Sequence, residues 1–378
     1  MQPLPLTARH ARRLWIAAQK LDLQAPFGKG PAAVARAVKH LGYVQIDTIN
    51  VIERCHHHIL FNRIPDYRRT DLKAAQSVDK SVFEYWTHAL AYVATADLPY
   101  HLAIMRAGVA MKKWYEDLDP DDVKPVLRRI RREGPITIRD VDDEPVEKSH
   151  AWASRKPTKR LLQLGFVDGR LTISQRQGMV KSYELIDRHF GWPPRPRAAT
   201  AGQVSEYLLE RALRSQGVVS LDSVCYMDAP RKPAIKALID RRVRAGQLVP
   251  VTIRGSEKVA HFAAPATLEA RSGVVPDGVH ILSPFDPLVI QRKRTRMIFD
   301  YEHVFEAYVS RAKRKLGYFT LPVLIGDEIV AGLDLKTDRT GRRLLIQAWH
   351  WFAAGRPRAH KKAIEEALDR FETFQLAE

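Results

Sequence analysis

Gln45 and Asp47 are the residues of this sequence whose types and spacing could do chemistry. They lie in residues 42–50, a segment rich in residues that favour β-strands, and this composition predicts a strand. Side chains alternate between the two faces of a strand, so an amide and a carboxylate at these positions would project from one face. A carboxylate can act as a base or stabilise a developing cation, and an amide can hold a water molecule. Taken alone, however, such a pair is more typical of the solvated edge of a sheet.

Three consecutive histidines, His56, His57 and His58, follow this segment. Consecutive side chains face opposite ways on a strand and fan out by about 100° each on a helix, so one metal ion cannot easily take all three. The sequence places no acidic or cysteine partner near them at a suitable spacing. We therefore expect no metal site and no cofactor, and two readings stay open: a structural role in which one ring is packed and two are solvated, or contact with a phosphate or lesion.

The charge balance predicts a polyanionic partner. The chain of 378 residues carries 61 Lys and Arg against 43 Asp and Glu, a net charge of +18. Nucleic acid and an anionic membrane surface both fit this excess, and so does a generally basic surface with no partner. The most apolar stretch, about residues 82–111, is interrupted by charged side chains and predicts no membrane span. Two cysteines far apart, Cys55 and Cys225, indicate a reducing, cytoplasmic setting.

The middle of the chain repeats itself. A helix, a short strand, a helix that begins at Lys-Pro and a hairpin that turns at glycine occur first around Pro157 and Gly169, then around Pro233 and Gly246. This order is that of a winged helix-turn-helix, whose last helix enters a DNA groove. A third, degenerate copy could precede them, because residues 41–44 match residues 164–167. The chain would then hold two or three tandem winged helices.

The last hundred residues predict a small antiparallel sheet or partial barrel with a covering helix. Alternating runs at 320–325, 328–336 and 344–349 predict strands, a periodic stretch near 304–316 predicts a helix, and a final amphipathic helix holds Ile364, Leu368 and Phe371. The fold class is therefore α+β. The predicted modules are residues 1–118, 119–192, 198–268 and 276–378.

Basic clusters recur in every predicted module. Each cluster alone is more typical of a solvated face, but together with several winged helices they predict a surface that follows DNA phosphates. The predicted recognition helix of the second module and the start of the last module supply these candidates: Lys156, Lys159, Arg160, Arg292 and Arg294.

Several separated segments, in the same order along the chain, are similar to a known family. Residues 42–48 with the three histidines, then 176–183, 282–288, 317–324 and 332–334 resemble the winged-helix DNA glycosylases of the YcaQ/AlkZ type. The similarity covers nearly the whole length. The family's catalytic motif is Gln, an apolar residue, then Gln or Asp, so Gln45-Ile46-Asp47 resembles the Asp-bearing YcaQ (AlkX) branch.

The resemblance implies a monofunctional enzyme that removes N7-alkylated guanines and unhooks interstrand crosslinks joined through guanine N7. Asp47 would stabilise the sugar cation and activate water, Gln45 would position that water, and Arg176 and Lys181 would contact DNA. No lysine lies in the motif to form a Schiff base. The expected partner is damaged double-stranded DNA, bound by a monomer in the cytoplasm at the nucleoid. The alternative is a non-catalytic winged-helix transcriptional regulator. The predicted fold alone favours the regulator, and the context of Gln45 and Asp47 together with the whole-length similarity argues against it.

Overall fold

The computed structural model describes residues 2–107, 114–148, 154–270 and 278–377. The helices are α1 (Ala8–Ala18), α2 (Gly30–Leu41), α3 (Cys55–Phe61), α4 (Arg69–Ser77), α5 (Leu98–Ala107), α6 (Val123–Glu133), α7 (Pro157–Val167), α8 (Ile186–Phe190), α9 (Ala201–Gln216), α10 (Leu221–Val224), α11 (Lys232–Arg244), α12 (Pro265–Glu269), α13 (Arg292–Phe299) and α14 (Pro357–Leu376). The strands are β1 (Leu4–Leu6), β2 (Val44–Gln45), β3 (Val82–Trp86), β4 (Leu90–Ala94), β5 (Ile136–Thr137), β6 (Leu171–Gln177), β7 (Val180–Leu185), β8 (Val218–Ser220), β9 (Val249–Ile253), β10 (His261–Ala263), β11 (Val279–Ile281), β12 (Thr320–Ile325), β13 (Glu328–Asp338) and β14 (Arg343–Trp351).

The chain forms two compact units. The larger unit joins residues 1–68 to residues 205–378, and the smaller unit is residues 69–204. Mixed α+β structure with several small sheets is therefore the fold class, as the sequence predicted. The finer division into four modules stays a prediction.

The larger unit holds two four-stranded sheets. One has the order β1-β9-β10-β8, in which β1 pairs parallel to β9 and the other pairs are antiparallel. The other has the order β11-β12-β13-β14 and is antiparallel throughout. A shared hydrophobic core, which includes Trp15, Val251, Leu288 and Leu324, packs beneath them. Helix α14 buries Ile364, Leu368 and Phe371, the face that its periodicity predicted.

The smaller unit contains an antiparallel hairpin of β3 and β4 and a three-stranded sheet of order β5-β7-β6. The order α6, β5, α7, β6, β7 follows the element order that the sequence predicted for the second module. The same order recurs in α9, β8, α11, β9 and β10, with the short helix α10 between β8 and α11. Pro157 and Pro233 both lie in the first turn of a helix, where proline's missing N–H removes no hydrogen bond.

Three predicted helices differ from the structure in part or in whole. The sequence predicts a helix over about residues 70–90, but the observed helix ends at Ser77, and Tyr85 and Trp86 lie on strand β3 because aromatic and β-branched residues fit a pleated, half-buried surface. The helix predicted near residues 304–316 is a loop with one 3-10 turn, Arg311–Lys313. The sequence also predicts a helix over about residues 97–118. It is observed from Leu98 to Ala107, residues 108–113 lie outside the described residues, and residues 114–118 are not α-helical.

Within the described ranges, no helix combines the length and the apolar character that crossing a bilayer requires.

Candidate active site

The end of helix α2 determines how the chain enters the segment that holds Gln45 and Asp47. Helix α2 has Pro31 in its first turn and ends at Gly42, which adopts a left-handed conformation at φ +81°. This conformation turns the chain directly into β2. The side chain of Arg211, from α9, packs against the open face of Gly42 and lies over the ring of Tyr43, 6.0 Å from its centroid. The start of the candidate motif is therefore held by both backbone geometry and packing.

Strand β2 is shorter than the sequence predicted. It ends at Gln45, and Asp47 lies two residues beyond it in an irregular segment. The carboxylate of Asp47 accepts a hydrogen bond of 2.7 Å from the main-chain N–H of Ile49. A short acidic side chain that bonds to the backbone two residues on competes with strand pairing. The same-face argument for a long strand therefore does not apply, although the two side chains remain neighbours in sequence at the end of one short strand.

The surroundings of Asp47 make its ionised form less favourable than in water. The side chain is half-buried, and this burial raises the pKa of Asp47 above its ordinary range, while hydrogen bonds from the Ile49 and Thr48 main chain lower the pKa in part. The thiol of Cys55 is buried and donates to the carbonyl oxygen of Gln45 at 3.1 Å. Burial, followed by the charge of Asp47, raises the pKa of the Cys55 thiol well above its usual value. Cys55 therefore stays a protonated thiol that packs beside this site, and it is not a nucleophile.

Gln45 is buried, with 7% of its surface exposed. The structure therefore places a buried amide at the end of β2 and a half-buried carboxylate just past it. A raised carboxylate pKa in a partly enclosed position is a recurrent property of catalytic groups. Such a carboxylate could take a proton from water or face a positive charge that develops on a bound substrate.

The three histidines lie in helix α3 and have different environments. His58 is fully buried, its Nε2 donates to the carbonyl of Ile281 at 2.7 Å, and burial lowers its pKa to about 4. His56 is also buried, with its ring 4.3 Å from that of His57, and Nδ1 of His57 lies 2.6 Å from the hydroxyl of Tyr67. The predicted arrangement of one packed and two solvated rings is wrong, because two of the rings are buried. The predicted DNA contacts of His56 and His58 do not fit this burial, because an enclosed ring does not reach a phosphate at the surface.

Two of the predicted DNA-contacting arginines are paired with acids inside the smaller unit. Arg160 forms a bidentate pair with Asp117, at 2.8 and 2.6 Å, and Arg176 forms one with the buried Glu84, with both N···O distances 2.6 Å. In such a bidentate pair the guanidinium forms two parallel hydrogen bonds to a carboxylate of opposite charge. Their guanidinium groups hold the unit together in this structure, which departs from the predicted role in DNA contact.

Three lysines of the smaller unit have different environments. The ammonium of Lys156 donates to the Val141 carbonyl at 2.8 Å, and Lys159 is half-exposed on α7. Lys181 lies over the ring of Phe166, 5.2 Å from its centroid, and burial lowers its pKa to about 8. A DNA-contact role for these three stays a prediction.

The two arginines on α13 differ sharply. Arg292 is exposed, whereas only 5% of Arg294 is exposed. The guanidinium of Arg294 lies over Trp15, 4.1 Å from the ring centroid, and donates to the Val218 carbonyl at 2.6 Å. Burial lowers the pKa of Arg294 to about 9, and the described residues include no acidic partner for this guanidinium. The prediction that Arg294 contacts DNA is therefore corrected: its helix turns it into the core of the larger unit.

One side chain that the sequence did not indicate adds to the surroundings of Asp47. Tyr308, in the loop that was predicted as a helix, is 80% exposed. Partial desolvation and then the charge of Asp47 raise the pKa of Tyr308, so the phenol lies within electrostatic reach of this carboxylate. The only sequence signal was an aromatic residue just before a basic run, which is typical of nucleic-acid contacts but not specific.

The part of the chain that the structure describes contains no group of three or more His, Cys, Asp or Glu side chains arranged to hold a metal ion. His56, His57 and His58 do not converge on one point, in keeping with their fan on a helix.

Comparison with known proteins identifies the class of protein. The model of the AlkZ-like DNA glycosylase family matches residues 38–374, and the chain belongs to this family. It is a DNA glycosylase and thus a DNA repair enzyme. Among solved structures, the chain is similar to Streptomyces sahachiroi DNA glycosylase AlkZ, with a TM-score of 0.65 and 15% sequence identity over 98% of this chain and 97% of that one. At this identity the likeness concerns the fold. Membership of the family decides for an enzyme over a regulator.

Proposed function

We propose that this glycosylase hydrolyses the N-glycosidic bond of N7-alkylated guanines in duplex DNA and unhooks interstrand crosslinks joined through guanine N7. Asp47 is the proposed catalytic carboxylate and Gln45 the residue that positions water. The observation that carries the proposal is the half-buried carboxylate of Asp47, with a raised pKa, immediately after the buried amide of Gln45.

The chemistry of the lesion suits these two residues. An N7-alkylated guanine carries a positive charge and leaves as a neutral base, so its departure needs no strong general acid. The glycosidic bond electrons go to the base, and the sugar develops oxocarbenium character. A partly desolvated carboxylate stabilises that charge more strongly than one in bulk water, because the effective dielectric constant is lower. Water that attacks the anomeric carbon then gives its proton to Asp47 and its oxygen to the sugar.

The proposal includes the arrangement on DNA. The two repeated modules would be winged helices, and Lys156, Lys159, Lys181 and Arg292 would contact phosphates. Gln45-Ile46-Asp47 would be the Asp-bearing form of the catalytic motif, as in the YcaQ (AlkX) branch. The enzyme would act as a monomer on chromosomal DNA in the cytoplasm. An open groove would admit a crosslink too bulky to be flipped into a closed pocket.

The test is excision from a duplex that carries a single 7-methylguanine, with a second duplex crosslinked by a nitrogen mustard. Alkali then converts each abasic site into a strand break. The wild-type enzyme is expected to release both lesions, and Asp47→Asn to slow the single-turnover rate by about 10²–10⁴-fold while duplex affinity changes little.

Asp369→Asn is the matched control, because it makes the same change in charge at an exposed position of α14 in the same unit. It should retain the wild-type rate. Excision by Asp47→Asn at the wild-type rate would remove the proposed role, and a wild-type enzyme inactive on both duplexes would remove the proposed substrates.

A further inference from the structure

The loop between Glu306 and Gly317, here called the 306–317 loop, has its two ends tied together. The buried carboxylate of Glu306 accepts hydrogen bonds from the main-chain N–H groups of Lys315 at 2.7 Å, Leu316 at 2.8 Å and Gly317 at 3.3 Å. Inside the loop, the Arg314 side chain donates to the Val309 carbonyl at 2.8 Å. A loop whose regular structure is a single 3-10 turn is thus held in one conformation by the Glu306 carboxylate and by a hydrogen bond across the loop.

Tyr308 projects from this fixed base. Its ring contacts that of Phe305 edge-on, with the centroids 5.9 Å apart. Phe305 in turn packs against Phe285 at 4.9 Å and Phe319 at 5.6 Å, so the support is an aromatic cluster in which Phe319 is buried and the other two rings are half-buried. Yet 80% of Tyr308 is exposed, the largest exposed fraction among the large hydrophobic side chains that the structure describes. An exposed aromatic ring on a rigid base is suited to stacking on a ligand.

The 306–317 loop and the segment after Asp47 are anchored to the same strand. The carboxylate of Asp334 on β13 accepts from the N–H groups of Tyr318 and Phe319, both at 2.9 Å. Three residues along β13, the N–H of Thr337 donates to the Val51 carbonyl at 2.8 Å. Three residues of strand span about 10 Å. Strand β13 thus holds both segments, and the charge of Asp47 contributes, after desolvation, to the raised pKa of the Tyr308 hydroxyl.

We propose that Tyr308 is the aromatic surface on which the positively charged alkylpurine stacks beside Asp47, and that it determines the preference for cationic lesions. The inference rests on the proposed function. The face of an aromatic ring carries partial negative charge and attracts cations. The nearby Asp47 carboxylate repels a phosphate. A cationic base is therefore the part of damaged DNA that is attracted both by the Tyr308 ring face and by Asp47. The exposed Arg311 and Lys313 of the same loop suit the phosphates instead.

The experiment measures affinity and not turnover. Three duplexes differ at one position: 2′-fluoro-7-methylguanine, which is cationic and resists hydrolysis; 7-methyl-7-deazaguanine, its neutral isostere; and guanine. Fluorescence anisotropy gives the Kd of each. We expect wild type to favour the cationic duplex over the neutral isostere, and Tyr308→Ala to lose about 2- to 30-fold of that preference, the range of one cation–π interaction of about 0.5–2 kcal/mol.

Two matched variants separate the ring from its surroundings. Tyr308→Phe keeps the aromatic face and should keep the preference, and Met227→Ala, at another exposed apolar position with 76% exposed, should also keep it. Arg311→Ala should weaken binding to all three duplexes equally.

Preserved discrimination in Tyr308→Ala overturns the inference, and so does equal affinity of wild type for the cationic and neutral duplexes. The Asp47→Asn excision assay decides the proposed function separately. A wild-type enzyme that releases neither lesion but keeps a Tyr308-dependent preference would refute the proposed function alone. Normal excision of 7-methylguanine with no effect of Tyr308→Ala on the preference would refute the inference alone.

Discussion

At the scale of single residues, the position of Asp47 determines how the enzyme should respond to pH. The ionised carboxylate is the form that stabilises a sugar cation or accepts a proton. Because burial raises the pKa of Asp47, its ionised fraction falls at a higher pH than for an exposed aspartate.

We therefore expect the single-turnover excision rate to fall with decreasing pH through an apparent pKa above the ordinary range of aspartate. The measurement is a rate profile on the 7-methylguanine duplex, corrected for spontaneous depurination in enzyme-free samples. Tyr308→Phe, which keeps Asp47, should retain an acid limb. An acid limb within the ordinary range of an exposed aspartate would contradict the assignment of Asp47.

The same shift has a consequence for stability. A carboxyl group whose pKa is higher in the folded than in the unfolded state binds more protons when folded, so its contribution to stability declines as pH rises through these pKa values. At pH 7 the ionised Asp47 therefore opposes folding. An asparagine there can still accept from the Ile49 N–H but carries no charge to desolvate.

We expect Asp47→Asn to have a Tm at pH 7 equal to or above that of wild type, and this advantage to shrink toward acidic pH. Thermal unfolding at several pH values tests this, with Asp369→Asn as the exposed control. A Tm well below wild type would mean that the carboxylate has a structural role, and the loss of excision would then need another explanation.

At the scale of elements, the end of α2 determines where the motif begins. Gly42 adopts a left-handed conformation, and a Cβ at this position would collide with the Arg211 side chain. Gly30 has a comparable φ of +71° but no atom within 4 Å of the Cβ position. The two glycines therefore separate backbone strain from steric conflict.

Both Gly42→Ala and Gly30→Ala carry the strain of a left-handed residue, about 1–2 kcal/mol, or roughly 2–8 °C in Tm. Gly42→Ala should lose more, because Arg211 must also move, and it should slow excision because Gln45 and Asp47 follow within five residues. Gly30→Ala should keep the wild-type excision rate. Equal rates for the two variants would show that the helix end does not position the motif.

The sequence predicted those elements whose signals are local. The helix–strand–helix–hairpin order of both repeats and the buried face of α14 follow from residue chemistry within a few positions. The strand of the motif was predicted too long, because the side chain of Asp47 takes the Ile49 N–H out of strand pairing. No propensity scale contains such a bond.

The site could be predicted in part for the same reason. Gln45 and Asp47 lie two residues apart in sequence, so the sequence itself shows an amide close to a carboxylate. The place of Tyr308 depends on β13, which brings together segments more than 250 residues apart, and so it could not be read from spacing. Arg292 and Arg294 look alike in a basic cluster, yet helical geometry points one to solvent and the other to Trp15.

At the scale of the whole molecule, the net charge of +18 predicts DNA binding that weakens steeply with salt. Each phosphate that the protein neutralises contributes about −0.9 to the slope of log affinity against log salt. Only basic side chains that reach the surface can contribute. The charge count alone therefore overstates the binding surface, because several arginines are paired with acids or enclosed.

Arg292 and Arg294 provide a test with the same substitution at both positions. Arg292→Met removes an exposed charge and should reduce the magnitude of the salt slope by about 0.9, with an unchanged Tm. Arg294→Met removes a buried charge that has no acidic partner and fills most of the same volume, so the slope should stay at the wild-type value. Affinity for an undamaged duplex, measured by anisotropy at several salt concentrations, gives both slopes. Equal reductions would mean that α13 rearranges on DNA and exposes Arg294, whereas an unchanged slope in Arg292→Met would place the phosphate path elsewhere on the basic surface.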